Sequence, residues 1–424
     1  MTEPIARIGQ TNFRNKRIPF GIKQKDRLYH MLLVGKTGSG KSTVLAQMMR
    51  SDLENGIGFA LLDAHGDLAE QVLGIVPENR IQEVVYINPA EPGFSPAINL
   101  LDGGQRYLVI SQFLSIFQHL WPEFWGPRTE YLLRNSLLLL AETFPGASLA
   151  DVPKVLTDFA FLNFLVGRLP PGDLRAFWEK EFTQYSKYFR NEAVAPILNK
   201  LGAITLNPKI RPILCQRRND VDFRELMDSG GIMIANLSKG TIGEDASALL
   251  GSVLLSKLIL AGLSRADVPQ RERAFFAICA DEAQQFLTES SVSLFAELRK
   301  FGVAGVWSTQ YLTSLPDKLR QGILGNVGSQ IVFALSGEDA EIMAQEFAPV
   351  ARTETFVGLP AYNFYLKLKI GGITSRPFSG ETVPLKFYPR PASWKQSLVR
   401  FENGEISWSI EPEAPAEYPQ EALF

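Results

Sequence analysis

Leu28-Tyr29-His30-Met31-Leu32-Leu33-Val34, running straight into Gly35-Lys36-Thr37-Gly38-Ser39-Gly40-Lys41-Ser42, is the stretch on which the reading of this 424-residue chain turns. An apolar run stops at a glycine-rich turn, and Val44, Leu45, Met48 and Met49 then recur at helical spacing. Strand, loop and helix in that order are the setting in which G-x-x-x-x-G-K-[ST] has a mechanism. The glycines let the backbone wrap so that its N–H groups and the helix N-terminus face a triphosphate. On this reading Gly35, Thr37, Gly38, Ser39, Gly40, Lys41, Ser42 and Thr43 bind ATP, with Lys41 neutralising the β and γ phosphates and Ser42 a ligand of Mg2+.

Working outward, Gly58 to Leu62 reads as a second strand ending at Asp63-Ala64-His65-Gly66-Asp67, and Glu83 to Ile87 as a third. Short strands alternating with helices indicate an α/β fold with a mainly parallel central sheet. From about Gly103 to Asp228 the texture changes to long periodic segments of Leu, Phe and charged residues, broken at Pro145-Gly146 and Pro170-Pro171-Gly172. This predicts an all-α inserted domain. Strands resume at Gly231 to Leu237, Ala274 to Ala280, Val303 to Ser308 and Gln330 to Leu335. The expected layout is a core in two parts, 1–102 and 229–385, interrupted by the insertion 103–228 and followed by an acidic, Pro-rich arm or tail, 386–424.

A length of 424 residues exceeds one typical domain, in keeping with a core plus an inserted module. A hydrophobic share of 46% with 21% charged residues is that of a folded enzyme, which excludes a disordered chain. The two cysteines, Cys215 and Cys279, lie far apart and without metal-ligand spacing, which argues against a disulfide scaffold or a zinc site. Ala246 to Leu263 approaches membrane-spanning length but carries Ser252, Ser256 and Lys257, so it reads as a buried core helix. With no signal-peptide pattern, a soluble cytoplasmic protein without a membrane span of its own is expected. The net charge of -2 gives no global nucleic-acid signature. Basic residues are concentrated between Arg7 and Arg50 and acidic ones after Phe401, so any DNA contact has to be local.

A magnesium-bound nucleotide needs an acid at the end of a nearby strand, and Ala274 to Ala280 leads directly into Asp281-Glu282. Asp281 is the expected Mg2+ ligand, and Glu282 the base that orients and deprotonates the attacking water. The same pair would also serve as a cap for the next helix. One strand further on, Gln310 ends a polar strand terminus where it could sense the γ-phosphate; a plain loop glutamine would look the same. Arg299, on the helix after Asp281-Glu282, could project out of one subunit toward the phosphates of the next, or be an ordinary surface arginine. Asp63 or His65 could touch the nucleotide site, whereas His30 reads as a packed strand residue.

Taken in order, the glycine-rich loop, Asp63-Ala64-His65-Gly66, Trp125-Gly126-Pro127-Arg128, Asn236-Leu237-Ser238-Lys239-Gly240, Asp281-Glu282, Glu297-Leu298-Arg299-Lys300, Gln310 and Gly325-Asn326-Val327-Gly328 resemble the HerA/FtsK superfamily. Within it they are most similar to the soluble ATPase part of type IV coupling proteins of the TraG/TraD kind. The resemblance implies a RecA-like P-loop NTPase core, a homo-hexameric ring with ATP at subunit interfaces, Arg299 as a finger acting in trans, and DNA in the central channel. Two departures stand out. Family members often carry arginine just after the strand phenylalanine, where this chain has Phe333-Ala334. The membrane-spanning segment of conjugative members and the β-barrel ahead of a HerA core also have no counterpart in the sequence, so a partner would have to recruit the chain to the inner face of a membrane.

Lys239, Lys318 and Arg320 are the expected DNA-backbone contacts, from assumed loop positions after core strands. The leading expectation is therefore a DNA-translocating ATPase that serves a type IV secretion or conjugation channel, with a channel protein or relaxase as partner. A HerA-like motor paired with a nuclease, and an ATP-regulated scaffold that moves nothing, are the alternatives.

Overall fold

The structure, a computed structural model, describes residues 3–91, 93–102, 105–385 and 394–401. They form two compact units. Residues up to 90 and from 221 to 399 make one, and residues 91–220 together with 400 and 401 make the other.

The first unit is built on an eleven-stranded sheet. Its strands in chain order are β1 (Ile5–Thr11), β2 (Pro19–Lys23), β3 (Met31–Val34), β4 (Gly58–Asp63), β5 (Val84–Ile87), β6 (Ile232–Asn236), β7 (Phe276–Asp281), β8 (Val303–Thr309), β9 (Ser329–Val332) and β10 (Asn363–Lys367), followed by β11 (Lys369–Ile370), β12 (Ile373–Thr374) and β13 (Phe378–Glu381). The spatial order is β2-β1-β13-β10-β9-β3-β8-β7-β4-β6-β5, with β11 and β12 forming a separate hairpin. From β9 to β5 every pairing is parallel. These strands are buried at nearly every position, and such sequences read as unbroken runs of Leu, Ile, Val and Ala because helices cover both faces.

The remaining strands form an antiparallel annex. Nothing in the sequence reading anticipated it. In β10 the burial alternates, as expected of a strand with one face toward solvent, and β1 slips register between Arg7 and Gly9. The parallel strands also start or end differently from the sequence expectation. β3 begins at Met31 because the helical turn Gln24–Arg27 carries through Leu28 and Tyr29, whose amide donates to Asp26 O, and β9 ends at Val332.

Glu244–Ser264 is the long apolar helix of this unit. By length and composition the span Glu244–Asp267 would cross a membrane, but 83% of its most apolar window is buried inside the protein, as a core helix requires.

The second unit is helical. Its longest elements are Arg106–Leu120, Pro127–Thr143 and Lys187–Thr205. Pro127 sits in the first turn of its helix, where the missing N–H has no intrahelical acceptor to lose. Trp178 and Phe182 pack edge to face with ring centroids 5.0 Å apart. The unit closes on itself where Ile98 N–H donates to Ile213 O (2.7 Å) and Ala97 N–H to an Asp220 carboxylate oxygen (2.7 Å). It thus runs from 91 to 220 and not from 103 to 228, and the helix Phe223–Asp228 belongs with the sheet. The expected arm from 386 falls mostly outside the described residues. Where it is described, it is packed structure: Trp394–Ser397 forms a turn whose Ser397 carbonyl accepts from Gln82 (2.6 Å), and Leu398 is buried.

Candidate active site

β3 hands its chain to the glycine-rich loop while still tied to both neighbours. Gly35 N–H donates to Thr309 O (3.2 Å) after β8, and Lys36 N–H to Ala334 O (2.9 Å) after β9. Side chains are unwelcome at two places. A Cβ on Gly35 would lie 2.5 Å from Phe333 Cβ, and Gly40, at φ 114°, enters the helix Lys41–Glu54 in a left-handed conformation that L residues rarely adopt. The first amides of that helix are without intrahelical acceptors and face the loop, which suits an anion. The Ser39 hydroxyl, buried in the loop, has no hydrogen-bond partner among the described residues.

Lys41 folds back onto the loop, its Nζ donating to Gly35 O (2.5 Å) and Lys36 O (3.2 Å). Burial lowers its pKa, and Asp281 and Glu282 oppose that shift. Ser42 Oγ donates to Asp281 Oδ2 at 3.1 Å. A hydroxyl from the loop helix and a carboxylate from the end of β7 therefore converge, as two oxygen ligands of one Mg2+ must. These residues fit a magnesium-bound triphosphate.

Glu282 follows in a left-handed turn at φ 53°, a conformation that costs a non-glycine residue on the order of 1–3 kcal/mol. Its carboxylate is buried, accepts from Gln284 Nε2 (2.5 Å) and lies 3.8 Å from His65 Nε2. It makes no side-chain cap to the following turn Ala283–Gln285, so the capping alternative has no counterpart here.

Asp63 is also buried, but its oxygens accept from the His65 and Ala69 amides (2.9 and 2.8 Å), so it shapes the turn after β4. Burial raises its pKa, against those two amides. Gln310 follows β8 directly after Thr309, the residue whose carbonyl holds Gly35. Arg299 lies at the surface in a turn after the helix Glu289–Leu298. Its guanidinium stacks 3.7 Å above the Tyr29 ring and donates to the Tyr29 hydroxyl (2.8 Å).

Two expectations need correction. His30 is packed but is not a strand residue: it precedes β3 at φ 62°. Lys239, Lys318 and Arg320 are not on loops. Lys239 starts the short helix Lys239–Ile242, and the other two lie on the helix Asp317–Asn326, where Arg320 pairs with Asp317 (2.6 Å). Phe333, Tyr362 and Thr382 meet at Gly40; of the three the sequence brought out only Phe333, and that for its neighbour Ala334.

Residues 6–120 match the family described as the central domain of the helicase HerA. Two solved structures extend the likeness over about nine tenths of the chain. The plasmid coupling protein TrwB in complex with ADP and Mg2+ superposes with a TM-score of 0.66 at 16% identity, covering 93% of this chain and 92% of that one. VirB4 of Thermoanaerobacter pseudethanolicus does so with a TM-score of 0.62 at 11% identity, covering 89% and 96%. The fold is the RecA-like P-loop fold of TrwB and VirB4. None of the curated proteins matches the chain in sequence. At identities this low the likeness to TrwB and VirB4 is one of fold. The glycine-rich loop, Asp281-Glu282 and Gln310 each lie at the carboxyl end of a parallel strand, where open α/β sheets bind ligands.

Proposed function

We propose that this chain hydrolyses ATP and uses the turnover to move DNA, as a homo-hexameric ring. The observation that carries the reading is the Ser42 to Asp281 hydrogen bond beside the buried, strained Glu282. Gly35, Thr37, Gly38, Ser39, Gly40 and Thr43 cradle the phosphates, and Lys41 leaves its loop carbonyls for the β and γ groups. Ser42 and Asp281 would hold Mg2+, which when bound would supply positive charge to the phosphate oxygens. Glu282, positioned by Gln284, orients a water and accepts its proton as the oxygen bonds to the γ phosphorus and ADP leaves. Gln310 senses the γ-phosphate. Arg299 reaches the site of the neighbouring subunit, which its surface position permits.

The likeness to TrwB and VirB4 supports coupling to a type IV secretion or conjugation channel, with a channel protein or relaxase as partner at the inner face of the membrane. The match of residues 6–120 to HerA favours a second reading, the same motor paired with a nuclease. Lys239, Lys318 and Arg320 remain the proposed backbone grips, with Arg320 the weakest because Asp317 already holds it.

The test is ATP turnover with and without DNA, with particle mass recorded in the same buffer. Turnover is expected to rise with DNA and to fall on the order of 100-fold or more in Glu282→Gln, as loss of a general base implies. Slow turnover indifferent to both changes would leave a scaffold.

A further inference from the structure

On the proposed reading the γ end of a triphosphate lies at Ser42, Asp281 and Glu282, and the last two end or follow β7, which with β8 stands on one side of the loop strand. The nucleoside therefore leaves the loop on the opposite side, where β9, β10 and β13 lie. On that side stands Tyr362. Its N–H donates to Ser39 O at 2.7 Å, and its own carbonyl accepts from Thr382 N–H at 2.9 Å, so the main chain is strapped to the glycine-rich loop on one side and to the end of β13 on the other. Its φ is 66°, a conformation that a bulky aromatic residue adopts only where the surroundings impose it.

The ring is not spent on the core. Tyr362 is 53% exposed, whereas Phe333, which shares its place against Gly40, is fully buried. An ideal Cβ on Gly40 would meet Tyr362 Cδ1 at 3.1 Å, Phe333 Cε1 at 3.2 Å and Thr382 Cγ2 at 3.2 Å. A half-exposed aromatic ring is thus held at the mouth of the phosphate cradle by backbone bonds that would remain whatever the side chain.

We propose that Tyr362 is the stacking platform for the nucleobase of the bound triphosphate, with Thr382 beside it at the sugar end. This deepens the reading of the site as an ATP site and rests on it. Stacking uses the π-face that every base presents, so the platform gives affinity for nucleoside triphosphates over bare polyphosphate and little choice between adenine and guanine.

The experiment compares Mg-ATP with Mg-tripolyphosphate, which fills the cradle but has no base, by calorimetry on the full chain. Tyr362→Gly removes the ring and suits the positive φ, so it keeps the loop strap and the fold. Its Mg-ATP affinity is expected to fall about tenfold, with tripolyphosphate affinity unchanged, and Tyr362→Phe is expected to bind ATP like the parent. An equal loss for both ligands, or no loss for ATP, overturns the platform while leaving the ATP site intact. A parent chain that binds neither ligand overturns the ATP reading along with it.

Discussion

His30 is held in one protonation state by two fixed neighbours. Gly305 N–H donates to Nδ1 (2.9 Å), which leaves Nε2 to donate to Phe295 O (2.8 Å). Burial pushes its pKa down to about 4, with the Arg299 charge adding to the shift and the Phe295 carbonyl opposing it. The unfolded chain takes up this proton near pH 6.5, the folded chain only near 4. Stability from this group is therefore full above about pH 6.5 and declines as pH falls, by about 3 kcal/mol in total on reaching pH 4. Urea midpoints of the parent and His30→Gln across that window check this, and parallel curves would contradict it. The sequence revealed that His30 is packed, but its left-handed backbone depends on Gly305 and Phe295, residues that no local pattern connects to it. Lys41, Ser42, Asp281 and Glu282 were readable because the proposed triphosphate chemistry calls for each of them. Tyr362 was not, since nothing in its neighbours' chemistry announces that the chain returns to the loop there.

The helix Lys41–Glu54 presents its N-terminus to the cradle and is anchored near its other end. Asp52 takes a bidentate pair from Arg27, Nη1 to Oδ1 at 2.6 Å and Nη2 to Oδ2 at 3.0 Å, with both side chains buried and the guanidinium 5.0 Å from the centre of the Phe275 ring. Burial raises the Asp52 pKa even against Arg27, so the carboxylate depends on its partner. Arg27→Ala is expected to cost about 3–5 kcal/mol by leaving that charge uncompensated, whereas Arg27→Met with Asp52→Leu recovers most of the loss. Urea unfolding of the three proteins measures both effects, and a single variant no less stable than the double would sink the argument. Elements of this kind were unevenly legible. The parallel strands stand out as apolar runs ending in chemistry, but β1 and β13 pair residues as distant as Gln10 and Glu381, and their half-exposed faces carry no clean alternation.

At the scale of the molecule, the helical unit 91–220 closes its own ends through Ala97, Ile98, Ile213 and Asp220. A fragment of those residues is expected to unfold cooperatively by circular dichroism in urea, as a self-contained core does. A non-cooperative melt would show that the sheet unit is needed to hold it.

The strand order also carries a history. β3 lies between β8 and β9, which begin at Val303 and Ser329, and β1 pairs with β13. On the ribosome, Met31–Val34 emerges long before either flanking strand has been translated. The nascent chain must therefore carry an unpaired apolar edge through most of its synthesis, and in that interval it is most open to chaperone capture and misassembly.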